Sequence, residues 1–589
     1  MAVLCGTALL LAALAVNLRV LDFGFLYLRD DDVNVTLNPH MGGIELARLR
    51  WMFTDWSYVR RYIPLGWLNF SLTYEFAGLN PKPYHAVALA LYGINVALVL
   101  AVLLLALRLF APADRDRGLT VWEVGSAALA AGWWALHPLR VETTAWISGN
   151  LYGQSMALFL ASLVAYLQTY LTAGRRRVAW LCLSGAAYVA SLLTYPLALG
   201  APFLLIGLDW LRGRGRPGAF ARLLAEKTVF LVPLLGILAV TLAARFGNTE
   251  VFGAVPGMRD LPLASRVAQS AYVAAYYLWK PWWPTHLSPL YDTLFDFNPW
   301  RAPFLLSMAA VAAMSVFAIL RFRRQPVVAV LWFGYLAVAA PFFGLTEKPH
   351  MASDRYSYFL TVIVAAVLAA GLARLSSPKA RAAASIAALA VIGILGRLSR
   401  RQLDVWSDDR AQHVYVASGI TNPVLLEDFK SRQVILEFIR GNEKAAAEII
   451  AAHLKADPTN PGFLRANAIM ADKERIGTFY GPVSYLAILH DRMALRCAEL
   501  GELRESNDHF EEAMRLDSRF YQASYDQALI LVRMGKCEAA LGSYFWAASS
   551  DPTGLPLRQR RAFLERLEWV AAASGQSRIA NAAKAALAR

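Results

Sequence analysis

The sequence predicts an all-helical protein in two parts: a polytopic membrane bundle over residues 1–400 and a soluble α-solenoid over residues 401–589. Three observations predict it. Of the 589 residues, 57% are hydrophobic, and the mean hydropathy is +0.39. That is too apolar for a soluble globular chain and suits one that crosses a bilayer repeatedly. Nearly all the long apolar runs lie before about residue 400. Beyond it, residue types recur 34 positions apart: Gly501 and Gly535, Ala513 and Ala547, Asp517 and Asp551.

Apolar runs of spanning length fall near 3–20, 84–110, 120–137, 151–172, 178–194, 196–211, 228–245, 302–320, 326–342, 357–374 and 382–398, about 11 spans in all. The first lacks the basic start and the small-residue cleavage site of a signal peptide, so it reads as a retained span. Tyr195-Pro196 divides the fifth from the sixth. Residues 266–300 are aromatic and Pro-rich, including Tyr276-Tyr277-Leu278-Trp279-Lys280-Pro281-Trp282-Trp283-Pro284. They read as an interfacial or re-entrant element.

The formal net charge of +15 does not point to nucleic acid. Its Lys and Arg sit mostly in short loops between apolar runs, the pattern that sets membrane orientation. Such loops hold Arg175-Arg176-Arg177, the group Arg212 to Lys227, Arg321 to Arg324, and Arg374 to Arg381. With these inside, the outer set is 21–83, 138–150, the turn at 195, 246–301 and 343–356. An odd number of spans puts residues 401–589 outside as well. The four cysteines (Cys5, Cys182, Cys497, Cys537) form no metal-binding spacing; a Cys497–Cys537 disulfide is possible, but packed thiols fit better.

The 34-residue period is the tetratricopeptide length, a helix–turn–helix unit. Gly501 and Gly535 fall at the turns, and Ala494, Ser506, Ala513, Ala528, Ala540 and Ala547 fall where helices cross closely. Gly441 to Asp457-Pro458 keeps the spacing of an earlier unit. His490 and Ser524 replace the consensus Trp. Stacked repeats offer a concave face for an acceptor or partner protein.

The outer loops collect acids and bases. The first holds Asp30-Asp31-Asp32, Asn38, His40, Arg60 and Arg61, with His85 at the next span. The second reads His137-Pro138-Leu139-Arg140-Val141-Glu142. Later loops hold Lys280 and His286, then Glu347, Lys348, His350, Asp354, Arg355 and Tyr356. Arg, Lys and His of such a set bind phosphate while a carboxylate acts as base. Paired aspartates also suit a divalent Mg²⁺ or Mn²⁺, so a metal is possible but no metal ligands are assigned.

Several motifs occur in order: Asp30-Asp31-x-x-x-Val35-Thr36-x-Asn38-Pro39-His40, Trp51-x-Phe53-Thr54, Pro64-Leu65-x-Trp67-Leu68, Gly78-Leu79-Asn80-Pro81-x-x-Tyr84-His85, the His137 to Glu142 segment, Lys280-x-Trp282-Trp283-Pro284, and Ser353-Asp354-Arg355-Tyr356-x-Tyr358. The set resembles bacterial relatives of the transmembrane, tetratricopeptide-repeat O-mannosyltransferases and of the protein O-mannosyltransferases. The resemblance implies a GT-C fold and a polyprenyl-phosphate sugar donor. It also implies an acceptor hydroxyl, such as protein Ser or Thr, on the periplasmic face of the bacterial inner membrane. It places the catalytic acids on Asp30 and Asp31. Donor and substrate contacts are then expected from Arg355, Lys280, His350, Arg140, His137, Glu142, Asp354 and His85. Two rival functions are a ligase for a whole lipid-linked glycan and a non-catalytic scaffold that recruits envelope proteins through its repeats.

Overall fold

The computed structural model describes residues 1–26, 29–31, 34–35, 38, 40–56, 58–110, 118–213, 220–247, 262–291, 293, 297–344, 352–421, 426, 443–456, 490–491, 494, 497–498, 503–516, 521–550, 564–565, 568, 572 and 577–587. Among these residues the structure is helical and contains no strand. In chain order the helices are α1 (Ala2–Asn17), α2 (Leu46–Thr54), α3 (Pro64–Ala77), α4 (Pro81–Phe110), α5 (Val121–Ala135), α6 (Val141–Ala145), α7 (Asn150–Gln168), α8 (Gly174–Thr194), α9 (Ala201–Leu211) and α10 (Phe220–Gly247). There follow α11 (Leu263–Trp279), α12 (Ala302–Arg321), α13 (Pro326–Ala339), α14 (Ser357–Ala373), α15 (Pro378–Val405), α16 (Asp409–Gly419), α17 (Glu443–Ala456), α18 (Leu503–Leu516), α19 (Tyr521–Arg533), α20 (Cys537–Ser550) and α21 (Ser577–Leu587).

Eight of these segments are long and apolar enough to cross a membrane: Ala2–Asp22, Pro81–Phe110, Ile147–Gln168, Gly174–Thr194, Ala225–Phe246, Ala302–Arg321, Asp354–Ala373 and Pro378–Val405. The other three expected spans form shorter helices, with 15 residues in α5, 11 in α9 and 14 in α13. At 1.5 Å per residue, 11 residues reach about 17 Å, short of a hydrocarbon core of about 30 Å. Large apolar side chains stand exposed along the spans, among them Leu306, Ile319 and Leu320 on α12 and Ile386 and Leu389 on α15. Such helices expect lipid, not water, around them.

The chain divides into two compact units. The first comprises Met1–Phe25, Leu49–Asn69 and Pro81–Ala411. Its helix pairs are tied by small polar residues. Ser155 and Ser191 exchange hydroxyl-to-carbonyl bonds (3.2 and 2.7 Å), and Ser162 and Ser184 do the same (2.7 and 2.8 Å). The two pairs lie seven residues apart on α7 and on α8, two helical turns, so both sit on one seam. Helix α9 approaches α13 so closely that a Cβ at Gly200 would lie 1.8 Å from the Ala337 carbonyl oxygen. Thr120 caps α5 through a reciprocal box with Glu123. Lys227, read from sequence as a loop cation, is fully buried and ion-paired with Asp209 at 2.5 Å.

The second unit comprises Leu26–Arg48, Phe70–Asn80 and Gln412–Arg589. Within it Glu75 accepts the Ile44 N–H (2.9 Å), and Arg29 donates to Gln412 (2.8 Å). Ala494, Ala498, Phe510, Ala513, Ala523 and Ile530 form a buried core. Two contacts there recur with the sequence period. His490 meets His509 (Nδ1 to Nδ1, 3.1 Å), and Ser524, 34 residues on from His490, donates to the carbonyl of Ser543, 34 on from His509 (2.8 Å). Gly535, at φ +73°, turns the chain between α19 and α20. Gly441, Asp457-Pro458, Gly501, Asp517 and Asp551 lie outside the described residues. Cys5 and Cys182 are free thiols.

Candidate active site

Short connections of the first unit meet at one end of its helices. They are the turn Pro138–Arg140 after α5, α6 with the turn Ile147–Gly149 before α7, the turn Lys280–Trp282 after α11, and the turn Asp354–Tyr356 before α14. Local sequence sets the second of these. Thr143 and Thr144 both donate to the Arg140 carbonyl (2.9 and 3.0 Å) and curl the backbone into one short helix. Gly149 then packs on it, where a Cβ would lie 2.7 Å from the Thr143 carbonyl oxygen.

His137 joins two of the turns. The Leu139 N–H donates to its Nδ1 (3.2 Å), so that nitrogen carries no proton. Its Nε2–H therefore donates to the Pro281 carbonyl (2.9 Å), and the ring is the neutral tautomer. Arg140 is 1% exposed. Its Nη2 donates to Ser357 Oγ (2.7 Å), and its guanidinium lies 5.1 Å from the Trp134 ring and 5.2 Å from the Tyr358 ring. Its Nε and Nη1 have no hydrogen-bond partner. Burial pushes it down to about 10, against nearby Tyr358, Tyr92 and Asp354, so it stays charged at neutral pH.

Glu142 and Arg355 form the central pair. The Glu142 carboxylate accepts the Arg355 backbone N–H and its Nη1, each at 2.8 Å. Glu142 is 3% exposed at its side chain, Arg355 20%. Arg355 Nε donates to the Tyr152 hydroxyl (3.1 Å). Three rings enclose the guanidinium: Trp146 and Tyr152 at 5.6 Å and Tyr356 at 5.1 Å. A cation held this way keeps one open side and a fixed orientation.

Asp354 is the neighbouring acid. It accepts the hydroxyls of Tyr276 (2.6 Å) and Tyr291 (2.9 Å). Burial and the Asp354 charge hold both phenols well above their ordinary range, so both act as donors. Lys280 Nζ donates to the Thr285 carbonyl (2.8 Å) and faces the Tyr276, Trp279 and Tyr291 rings at 5.1–5.7 Å. Burial lowers its pKa, opposed by Asp354.

The structure thus brings together His137, Arg140, Glu142, Lys280, Asp354 and Arg355. It does not bring His85 into their hydrogen bonds. That residue is buried in α4, its Nε2 3.4 Å from the Gly24 carbonyl and its ring edge-on to Phe23. His350, Glu347 and Lys348 lie outside the described residues. Asp30 and Asp31 belong to the second unit. Asp31 is fully buried, and its Oδ2 accepts the Leu26 N–H (2.9 Å); Asp30 is half-buried. Among the described residues no three His, Cys, Asp or Glu side chains are placed to hold a metal ion.

Sequence reasoning missed Tyr152, Tyr276, Tyr291 and Trp146, because it weighed ionisable side chains and took aromatics as interface anchors. The adjacent pair Tyr276-Tyr277, four residues ahead of Lys280, was the available signal. No protein-family model matches the chain, and no curated protein and no solved structure matches it.

Proposed function

We propose that the chain is a membrane glycosyltransferase that moves a sugar from a polyprenyl-phosphate carrier to a hydroxyl acceptor, protein Ser or Thr, on the periplasmic face of the inner membrane. The observation that carries this reading is the aromatic-enclosed Glu142–Arg355 pair, beside Lys280 and Asp354, at one end of helices apolar enough to cross a bilayer. Buried cations on a membrane protein mark a substrate path, and a carrier phosphate is the anion that such a path delivers.

The chemistry is an inverting displacement. A carboxylate takes the proton of the acceptor hydroxyl, and the acceptor oxygen bonds to the anomeric carbon. The bond from that carbon to the phosphate oxygen breaks, and its electron pair leaves on the phosphate. Fixed cations stabilise the developing charge; Arg355 and Lys280 fill that role. The motif resemblance assigns the base to Asp30 or Asp31. We favour Asp30, because Asp31 is fully buried with one oxygen on the Leu26 N–H.

For the catalytic loops and residues 401–589 to share the outer face, all three shorter helices, α5, α9 and α13, must complete crossings as well. The contacts recurring at 34 residues support tetratricopeptide repeats that bind the acceptor. Transfer from a polyprenyl-phosphate sugar to a Ser/Thr peptide by the purified chain tests the reading. Asp30→Asn is expected to abolish transfer without altering the unfolding midpoint, and full activity in that variant overturns the assignment.

A further inference from the structure

The last turns of α15 carry three arginines that the candidate site does not use. Arg397, Arg400 and Arg401 are all exposed, and steps of three and four residues put them on one face of the helix. The same face carries Ile386, Leu389 and Ile394, also exposed. The other face is held by the protein: Ser399 donates to the Leu136 carbonyl (2.8 Å), Gln402 donates to the Leu287 carbonyl (2.9 Å), and Leu403 is buried. Helix α1 packs alongside and presents Leu4, Leu11 and Leu18. Arg400 donates to the Ala15 carbonyl of that helix (3.4 Å). Among the described residues, Arg397 and Arg401 have neither a hydrogen-bond acceptor for their side chains nor a carboxylate partner.

The acids at this end lie elsewhere or are engaged. Asp404 is three residues beyond Arg401, about 4–5 Å farther along the axis, and pairs with Arg19 (2.7 Å). Asp22 follows Arg19 by three residues. Asp408 accepts the backbone N–H groups of Arg410 and Ala411 (2.9 and 3.0 Å), and Asp409 opens α16 beside Arg410. From Arg381 to Arg397 the helix rises about 24 Å. Arginines at both ends then carry their charge to the two headgroup levels of a core of about 30 Å, with their stems along the acyl chains. On the orientation read from the loops, the Arg397 end is the outer one, where the charge bias of membrane proteins expects few cations. Guanidinium forks match phosphate oxygens in pairs. The apolar strip that runs directly into the three arginines matches an anion that brings its own acyl chains.

We propose that Arg397, Arg400 and Arg401, with the exposed apolar strips of α15 and α1, form a binding surface for an anionic glycerophospholipid. The test measures lipid retained per folded chain by native mass spectrometry of the full chain in neutral detergent, together with the unfolding midpoint. Phosphatidylglycerol is the probe, phosphatidylcholine with the same acyl chains the reference, and undecaprenyl phosphate and inorganic phosphate the competitors. Phosphatidylglycerol is expected to bind at least about tenfold more tightly than phosphatidylcholine, the worth of two or three arginines near an anionic headgroup, and to raise the midpoint. Arg397→Gln/Arg401→Gln is expected to keep the lipid-free midpoint, because neither side chain has a partner to lose, and to abolish most of the preference. Arg397→Lys/Arg401→Lys is expected to keep part of it. Arg175→Gln/Arg176→Gln, which removes the same charge before α8, is expected to leave it unchanged. Equal retention of the two phospholipids by the unmodified chain overturns the proposal, as does an undiminished preference in Arg397→Gln/Arg401→Gln or an equal loss in Arg175→Gln/Arg176→Gln. Displacement of phosphatidylglycerol by undecaprenyl phosphate at equal concentration would make this a carrier site, and displacement by inorganic phosphate at equal concentration a site for the free anion; either result overturns it.

Discussion

Removing the Glu142 carboxylate tests the central ion pair most sharply. Glu142 accepts two bonds from Arg355, both 2.8 Å, at a place where its own side chain is 3% exposed. Glu142→Ala strands a guanidinium that is 20% exposed at its side chain, a loss of about 3 kcal/mol, the low end for a buried pair. Replacing both partners by Met leaves no stranded charge. Such double replacements are often neutral, although here the Tyr152 bond and the ring contacts also go, so a loss of about 1–2 kcal/mol is expected. At roughly 2–4 °C per kcal/mol for domains of moderate size, Glu142→Ala lowers the unfolding midpoint by about 6 °C or more. The assay is tryptophan fluorescence against temperature on the detergent-purified chain, with carrier binding measured in parallel. The double variant should recover part of the midpoint yet bind no carrier. Losses that simply add, or a Glu142→Ala midpoint within about 1 °C of the parent, would refute the reasoning.

Other outcomes follow from the same geometry. Asp30→Asn should lower transfer by roughly 10²–10⁴-fold, the usual worth of a general base, as read by product formation per folded protein. Because burial lowers the Lys280 pKa, its charge is lost at a pH below the ordinary lysine value of 10.5; an alkaline fall in carrier binding should begin there, and Lys280→Arg should move it to higher pH. Tyr276→Phe/Tyr291→Phe removes the phenol hydrogen bonds to the Asp354 carboxyl, about 0.5–1.5 kcal/mol each, and should lower the unfolding midpoint more than either single change. Gly200→Val would drive side-chain carbon into the Ala337 backbone; a loss of at least about 1–3 kcal/mol is expected from overpacking, again read from the midpoint.

Much of the helical layout was legible in sequence because apolar length and turn chemistry act locally. The Tyr195-Pro196 break does end α8 at Thr194, and eight of the expected spans appear as helices of crossing length. Length was misjudged in the sixth run, where residues 196–200 form turns after Pro196 and α9 starts only at Ala201. Loop membership predicted one shared membrane face for His137, Arg140, Glu142, Lys280, Asp354 and Arg355, but not which pairs with which. The Glu142–Arg355 bonds join residues 213 positions apart, and no local pattern carries that. Sequence also gave no weight to the tyrosines that hold Asp354.

The central claim is sugar transfer at this membrane face, and glycoproteomics of cells carrying Asp30→Asn in place of the native chain tests it most directly. The account predicts that one class of Ser/Thr-linked glycan disappears from envelope proteins while the chain itself persists in the membrane at normal level. An unchanged complement of glycans, with the variant present at that level, would contradict it.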